Sequence, residues 1–163
     1  MYNYSKYRPL EFDVRNGWIH NWFSNMKSCE IEIDGKLYPS VEVYYQSMKS
    51  DDPEISEYIR TNLSSYQSKK YAKNIKIRKD WDDVKLYVML QGLLKKFNKD
   101  PFKSQLIFTK DDQIIEWNNW GDNYWGVNSE DCVGYNHLGR LLMIVRDLII
   151  MQEEIKKINN HDK

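Results

Sequence analysis

The sequence predicts an α+β fold that is mainly helical and carries a small antiparallel sheet. Apolar residues recur at the spacing of an α-helix in three stretches, 41–48, 81–97 and 138–149. Residues 29–38 instead resemble two short strands around Asp34-Gly35, a dipeptide typical of a two-residue hairpin turn. An aromatic content of 14%, with only 7 Gly and 4 Pro, is typical of a folded globular chain.

The length and charge of the chain limit its organisation and its partners. At 163 residues we expect one domain, spanning 1–163, with a substantial core. Lys+Arg and Asp+Glu both number 24, so the chain has no net charge that would attract a polyanion. This argues against a dedicated duplex-binding protein, although a local basic patch is still compatible with the composition.

Motifs for metals, cofactors and membranes are missing from the sequence. Cys29 and Cys132 lack the spacing of a zinc site or a disulfide framework, and there is no HExxH or Gly-rich phosphate loop. We therefore expect no metal and no cofactor. The N-terminus lacks the apolar core of a signal peptide, and no apolar run approaches the ~18 residues of a membrane span. We expect a cytoplasmic protein without a membrane partner.

The first third of the chain contains the hairpin and the most informative helix. A short strand or two is expected in residues 1–20, and a loop rich in aromatics and amides in 21–26. After the hairpin, Pro39-Ser40 closes the second strand and offers an N-cap. The helix that follows places Val41, Tyr44, Tyr45 and Met48 on one apolar face, and Glu42, Gln46 and Lys49 on an adjacent stripe.

That stripe has two interpretations. A carboxylate beside a tyrosine-lined face is a candidate for acid–base chemistry. The alternative is an ordinary amphipathic helix whose Glu–Lys edge is solvated.

Three further helices are expected before residue 98 and a fourth shortly after it. Helices follow Asp52-Pro53 to about Leu63 and Ser64-Ser65 to about Asn74, and Asp80 is expected to cap the helix that ends near Phe97. Asp100-Pro101 begins a short helix through about Phe108. The intervening stretch 69–79 is the most basic of the chain, and it is either a solvated face or a phosphate-binding surface.

The last third combines an irregular loop with a long helix. A short strand is expected over 113–116. Residues 117–126 hold four aromatics, three Asn, one Asp and two Gly, a composition that suits either tightly packed irregular structure or a site for a flat, hydrogen-bonding ligand. A long helix with an apolar face at Leu138, Leu141, Leu142, Val145, Leu148 and Ile149 follows, and 159–163 is expected to fray.

Several short motifs occur in a fixed order along the chain. They are Phe23-Ser24-Asn25, Ile33-Asp34-Gly35-Lys36, Pro39-Ser40-Val41-Glu42-Val43-Tyr44-Tyr45-Gln46, Arg78-Lys79-Asp80-Trp81-Asp82-Asp83-Val84-Lys85 with Val88-Met89, Lys96-Phe97, Asp122-Asn123-Tyr124-Trp125-Gly126, and Gly134-Tyr135-Asn136-His137-Leu138-Gly139 with Leu141-Leu142-Met143. In this order they resemble the NADAR (YbiA-like) family of N-glycosidases over about residues 18–148. Each motif alone is weak, whereas the shared order is specific.

The resemblance implies a YbiA-like fold and hydrolysis of an N-glycosidic bond between ribose and a base-like leaving group. Members cleave ribosylamino-pyrimidine phosphates of early riboflavin biosynthesis, and related members act on ADP-ribosyl adducts. The family's essential glutamate falls on Glu42, and its Asp-x-x-Trp-Gly motif on Asp122, Trp125 and Gly126. Its two motif asparagines fall on Asn25 and Asn136.

The chain departs from the family at three places. Val43 stands where His often follows the glutamate, Met26 stands where Phe often follows Ser-Asn, and Ala72-Lys73 replaces a usual Gly-Arg. These departures bear on base selectivity and phosphate contacts more than on hydrolysis.

The chemistry assigns provisional roles to the motif residues. Glu42 would stabilise an oxocarbenium-like ribose or orient water, with Asp122 as the second catalytic group. Trp125 or Trp81 would stack on the base, although Trp81 could simply be a core residue. The remaining substrate-binding candidates are Tyr45 and Gln46 beside the carboxylate, Lys49, Arg78 and Lys85 for a phosphate, and Asn25, Gly126 and Asn136 from the family motifs.

The rival interpretation is a non-catalytic module that binds ADP-ribose or a related nucleotide. The partner expected for the hydrolase is a small phosphorylated ribosyl or ADP-ribosyl substrate, or an ADP-ribosylated nucleic acid or protein. Retention of Glu42 and Asp122 argues against the rival, because binding a phosphate needs no added negative charge. The sequence leaves the true substrate and the oligomeric state open.

Overall fold

The computed structural model describes residues 1–7 and 22–161. Six α-helices and six short strands lie within these residues, which confirms the prediction of a mainly helical α+β fold. Of the strands expected in 1–20, one is seen at Tyr2–Asn3 (β1), while 8–20 lie outside the described residues. Backbone packing divides the chain into two compact units, one comprising 20–102 and the other 1–19 with 103–163. The single domain over 1–163 stays a prediction.

The predicted hairpin is present in the 20–102 unit. Strand β2 (Ile31–Ile33) pairs antiparallel with β3 (Lys36–Tyr38), with Ile31 opposite Tyr38. Asp34 and Gly35 have φ values of 51° and 73°. Two consecutive left-handed residues are what a two-residue hairpin turn of this kind requires, and Asp and Gly tolerate that conformation best.

Helix α1 (Val41–Ser47) is the central element of this unit. It begins at Ser40, whose Oγ accepts a hydrogen bond from the Val43 N–H at 3.1 Å, as the predicted N-cap requires. Every one of its seven residues is buried, because α1 packs against three other helices: α2 (Pro53–Asn62), α3 (Ser65–Tyr71) and α4 (Trp81–Phe97). The solvated edge considered for this helix is therefore absent.

The starts of α2 and α3 follow their sequence signals. Asp52 accepts a hydrogen bond from the Glu54 N–H at 2.9 Å, and Pro53 occupies the first turn of α2. Ser64 and Gln67 form a reciprocal capping box at the start of α3. Helix α3 ends at Tyr71, three residues earlier than expected.

The predicted capping role of Asp80 is wrong. Asp80 precedes α4, but its carboxylate makes no capping hydrogen bond. Instead its two oxygens accept from Arg78 Nε at 2.6 Å and Nη2 at 2.8 Å. The bidentate guanidinium holds the carboxylate away from the helix end, since charge-assisted pairs of this geometry are stronger than a neutral cap.

Short strands organise the second unit, in which α5 (Phe102–Phe108) is followed by a four-stranded sheet. The sheet order is β1, β6 (Val133–Gly134), β5 (Val127–Asn128) and β4 (Trp117–Asn118), with β4 and β5 parallel and the other pairs antiparallel.

The predicted strand over 113–116 is wrong. Its backbone is bonded instead by the Asn136 side chain, which donates to the Ile114 carbonyl and accepts from the Glu116 N–H.

The terminal helix α6 (His137–His161) buries Leu138, Leu142, Val145 and Ile149, whereas Leu141 and Leu148 are half-buried. It continues to His161, so 159–161 are helical where fraying was expected, whereas 162–163 lie outside the described residues. Arg146 is also buried on this helix and donates to Thr109 Oγ1 and the Asp112 carbonyl. Within 1–7 and 22–161, no helix is both long and apolar enough to cross a bilayer.

Candidate active site

The Glu42 carboxylate is buried in the first turn of α1. Its side chain belongs to a residue only 8% exposed, and Oε1 accepts a 2.8 Å hydrogen bond from Gln46 Nε2 one turn later. Gln46 is itself buried, and its Oε1 is without a partner in the described part of the chain. Because an unpaired buried acceptor is costly, the Gln46 carbonyl is a place where a water or a ligand donor would be favoured.

Lys49 supplies a cation next to this carboxylate. Burial lowers the pKa of Lys49, and the negative charge of Glu42 partly opposes that shift. The Lys49 Nζ lies 5.3 Å from the centroid of the Tyr45 ring and 6.0 Å from that of Trp81. Aromatic faces stabilise a partly desolvated ammonium group, so Tyr45 and Trp81 hold Lys49 near Glu42.

Tyr45 and Trp81 form an aromatic wall. Their ring centroids are 5.0 Å apart with an interplanar angle of 59°, and both residues are buried. Such a tilted pair packs well in a core. The structure thus favours the core interpretation of Trp81, with its ring supporting Lys49.

Asn25 is bonded to the start of α1. Its backbone carbonyl accepts a 3.0 Å hydrogen bond from the Glu42 N–H, and its side-chain Nδ2 lies 3.3 Å from Met89 Sδ. The Asn25 Oδ1 is buried and has no partner among the described residues. Two amide oxygens, on Asn25 and Gln46, are therefore left as acceptors in the unit that carries Glu42.

Arg78 and Lys85, proposed for a substrate phosphate, are paired with carboxylates of their own chain. Arg78 binds Asp80, and Lys85 Nζ lies 2.6 Å from Asp82 Oδ1. Hydrogen bonding to Asp80 raises the pKa of Arg78. Either cation would have to exchange its carboxylate for a phosphate in order to bind one.

The Asp122 carboxylate organises the loop that follows it. Its Oδ1 accepts from the N–H groups of Tyr124 at 3.2 Å and Trp125 at 2.9 Å. The buried Asn118 side chain fixes the Asp122 backbone, donating to its carbonyl at 2.8 Å and accepting from its N–H at 3.0 Å. Asp122 and Asn118 together close the loop into one conformation.

Gly126 and Asn136 serve the packing of the same loop. A Cβ on Gly126 would lie 2.3 Å from the Glu116 carbonyl oxygen, so no larger residue fits there. Asn136 is fully buried with φ of 53° and joins the loop to residues 114–116 through its amide. The same restriction applies to Gly134 and Gly139, the two glycines of the last family motif. A Cβ would lie 2.2 Å from a backbone oxygen at Gly134 and 2.1 Å from one at Gly139.

Aromatic side chains cover the outside of this loop. Trp125 is half-buried and meets Tyr124 edge-on at 5.1 Å, and Tyr124 contacts His137 at 4.5 Å between ring centroids. The partial exposure of Trp125 leaves ring surface that a flat ligand could stack on.

Two residues that position the site were not predicted. Lys96 is fully buried in α4 and donates to the Ser24 carbonyl at 2.7 Å, next to Asn25. Burial lowers the pKa of Lys96 to about 7. The available signals were the Lys96-Phe97 motif and a lysine at the helical spacing of Met89 and Leu93. Asn118 gave no signal beyond its place in the aromatic loop.

The predicted site residues therefore lie in two clusters. Within 20–102 the structure brings together Asn25, Glu42, Tyr45, Gln46, Lys49 and Trp81, whereas Arg78 and Lys85 pair with acids instead. Within 103–163 it brings together Asp122, Trp125, Gly126 and Asn136. Among the described residues no three His, Cys, Asp or Glu side chains are grouped to hold a metal.

Comparison with known proteins supports these motifs. The NADAR domain family model matches residues 11–150. The chain is 31% identical to the N-glycosidase YbiA of Escherichia coli strain K12 over 134 residues, covering 80% of this chain and 82% of that protein. It is 31% identical over 132 residues to an N-glycosidase of Nostoc punctiforme, covering 78% of this chain and 84% of that protein.

Two further comparisons concern a longer relative and a solved structure. The chain is 33% identical to a riboflavin biosynthesis protein of Vibrio vulnificus over 78% of its own length but spans only 35% of that protein. The NMR structure of Escherichia coli YbiA superimposes with a TM-score of 0.73 at 31% identity, over 81% of this chain and 79% of that one.

These matches confirm the predicted fold and, at the level of the family, the predicted class of enzyme. The family model covers most of the sequence, and relatives matched over four-fifths of the chain are N-glycosidases by name. The chain belongs to the NADAR domain family.

Proposed function

We propose that this protein hydrolyses the N-glycosidic bond between a ribose and a base-like leaving group, with Glu42 as the key carboxylate. The observation that carries the proposal is the buried Glu42–Gln46 pair beside Lys49. Burying a carboxylate costs free energy, and Glu42 makes no ion pair within 4 Å in the described part of the chain. A buried carboxylate without an ion pair lowers the stability of the fold, and groups of this kind are concentrated at functional sites.

The reaction needs a negative charge near the anomeric carbon. As the nitrogen base departs, the ribose acquires oxocarbenium character, which a nearby carboxylate stabilises. The Gln46 amide holds Oε1 of Glu42. The other oxygen, Oε2, is the one proposed to face the sugar or an attacking water. A fixed carboxylate is effective because it needs no reorganisation in the transition state.

Lys49 is the best candidate for a substrate phosphate. It is the cation electrostatically coupled to Glu42, and it contacts aromatic rings instead of a carboxylate. Arg78 and Lys85 are secondary candidates because each already binds an aspartate. A phosphate near Lys49 would restore the usual, higher pKa of that ammonium group.

For Asp122 we propose a supporting role in addition to the catalytic one that the family motif suggests. Its Oδ1 is engaged by two backbone N–H groups, so only the other oxygen could reach a substrate. Trp125 is the proposed stacking residue, since Trp81 is buried against Tyr45. Gly126 and Asn136 are proposed to shape the loop that carries Trp125.

The proposed substrate is a phosphorylated ribosylamino-pyrimidine of riboflavin biosynthesis or an ADP-ribose conjugate. The name of the Vibrio vulnificus relative supports the first alternative. In both, the bond that breaks joins the anomeric carbon to nitrogen, and the phosphate provides binding energy away from that bond.

The test is base release from each substrate class. The protein is incubated with a ribosylamino-pyrimidine phosphate and with an ADP-ribosylated base, and free base is quantified by chromatography. Glu42→Gln keeps the size of the side chain and removes its charge, so we expect turnover to fall by a factor of about 100 or more. Glu32→Gln, on the exposed face of β2, is the matched control and should turn over normally.

The same variant separates hydrolysis from simple binding. If the protein is only an ADP-ribose-binding module, neither substrate releases base, and the wild type and Glu42→Gln bind the nucleotide equally. Release by the wild type that Glu42→Gln retains in full would contradict the role given to Glu42.

A further inference from the structure

A second surface of the 20–102 unit has the properties of a polyanion site. We use the term lysine face for Tyr66, Lys69, Lys70, Lys73, Lys76 and Lys79. Four of these residues stand at i, i+3, i+4 and i+7 along α3 and the turn after it, so they share one side of the helix. All six are exposed, whereas Ser68 and Ala72 on the opposite side are buried.

The charge of the chain is concentrated on this face. Residues 69–79 contain six basic side chains and no acidic one, although the chain as a whole has 24 of each. The remainder of the chain therefore carries 18 basic and 24 acidic side chains. A neutral protein with such an uneven distribution attracts anions locally while repelling them elsewhere.

The lysines of the face are not neutralised by neighbouring acids. Among the described residues none of the five forms an ion pair, whereas Lys36, Lys85 and Lys103 each pair with a carboxylate. Arg78, which lies within the same stretch, is bound to Asp80 and is left out of the lysine face for that reason. Five exposed ammonium groups within eleven consecutive residues are thus available to phosphates.

Exposed tyrosines accompany these lysines. Tyr66 is 70% exposed within the lysine face. At its edge Tyr71 and Tyr58, 38% and 44% exposed, stand with their ring centroids 5.3 Å apart. Solvent-exposed rings among lysines are the combination by which single-stranded nucleic acids are held, since bases stack on the rings and phosphates meet the cations.

We propose that the lysine face binds single-stranded nucleic acid. A free phosphate would need one or two cations and no ring. A lipid bilayer would need an apolar face, whereas Ile77 is the single exposed aliphatic side chain among the described residues 66–79. The face is joined to the helix that carries Glu42, because the Arg78 N–H donates to the Lys49 carbonyl at 2.8 Å. The inference concerns binding alone and does not depend on the hydrolase reaction.

The test is fluorescence anisotropy with a labelled oligothymidylate of about fifteen nucleotides. For five phosphate contacts, the logarithm of the binding constant should fall against the logarithm of salt concentration with a slope of about −3.5. Substituting Lys69, Lys70 and Lys73 together by Ala should reduce the slope to about −1.4 and weaken binding by a factor of roughly 100 at low salt.

A matched control removes the same charge elsewhere. Lys95, Lys156 and Lys157 are exposed lysines outside the lysine face, and their triple Ala variant should bind like the wild type. Tyr66→Ala should weaken binding by a factor of about 10 without changing the salt slope, as the loss of one stacking ring predicts. Melting temperatures of all three variants confirm folding.

Three results would overturn the proposal. The first is the absence of oligothymidylate binding at low salt by the folded wild type. The second is equal weakening by the two triple variants, which indicates bulk charge alone. The third is binding to vesicles of anionic phospholipid, with the same residues required, in preference to the oligonucleotide.

Discussion

Gln46 donates a 2.8 Å hydrogen bond to Oε1 of Glu42, and both side chains are buried within one turn of α1. The amide fixes one carboxylate oxygen without neutralising it. A carboxylate held in this way has a fixed position for a reacting sugar, so substitutions of Gln46 test the role of Glu42 as directly as substitutions of Glu42 itself.

Replacing this partner by an acid should change the pH dependence of the reaction. In Gln46→Glu two carboxylates would face each other, and their repulsion raises the pKa of the pair. We expect the acid limb of the kcat/KM profile to move to higher pH and activity near neutrality to fall about tenfold or more. Gln152→Glu, on the exposed end of α6, is the control and should leave the profile unchanged. An unshifted profile in Gln46→Glu would contradict the assignment.

Lys96 should make stability rise with pH. Burial lowers its pKa to about 7 in the folded protein from 10.5, so between these values the unfolded chain binds more protons than the native one. The free energy of unfolding should therefore increase from about pH 7 to about pH 9, above which ionisation of the buried Cys29 thiol in the unfolded chain opposes it.

Urea unfolding across this window measures the effect. Lys96→Met should flatten the dependence, leaving the smaller contribution of Lys49, whose pKa is also lowered. Lys95→Met, at an exposed neighbouring position, should retain it. A slope equal in Lys96→Met and wild type would show that Lys96 is protonated in the folded protein throughout this range.

Two substitutions of Asp122 separate loop structure from charge. Asp122→Asn keeps an Oδ1 that can accept from the N–H groups of Tyr124 and Trp125, whereas Asp122→Ala removes it. We expect Asp122→Ala to lose about 1 kcal/mol of unfolding free energy and Asp122→Asn to lose less. Turnover by Asp122→Asn then reports on charge: near-normal turnover supports a positioning role, and loss by a factor of about 100 supports a catalytic one.

Gly126→Ala should be strongly destabilising. The added Cβ would lie 2.3 Å from the Glu116 carbonyl oxygen, and backbone cannot move aside as a flexible side chain can. We expect a loss of about 2–3 kcal/mol in urea unfolding. Gly92→Ala is the comparison, because its Cβ would lie 2.9 Å from Val41 Cγ1 and 3.2 Å from Tyr44 Cδ1, which are side-chain atoms, and because helix propensity favours Ala, so a smaller loss is expected. Equal losses in the two variants would contradict the packing role given to Gly126.

Local signals in the sequence predicted the elements that are stabilised by contacts between residues close together along the chain. Asp34-Gly35 specified the hairpin because both residues tolerate positive φ. Ser40, Asp52 and Ser64 marked helix starts because their side chains accept from N–H groups two or three residues ahead. The strand expected over 113–116 failed for the opposite reason, since its backbone partner is the side chain of Asn136, twenty or more residues away.

The same distinction between local and long-range interactions applies to the candidate site. The order of the motifs determined the family, and helical spacing placed Glu42, Gln46 and Lys49 on one stripe. Spacing gives the direction in which a side chain points but not what covers it. The Asp122 contacts are local, because its Oδ1 accepts from N–H groups two and three residues ahead. Only the packing of α2, α3 and α4 around α1 decided that Glu42 is buried, and only the fold of residues 114–136 decided that the buried Asn136 side chain bonds the backbone of 114–116.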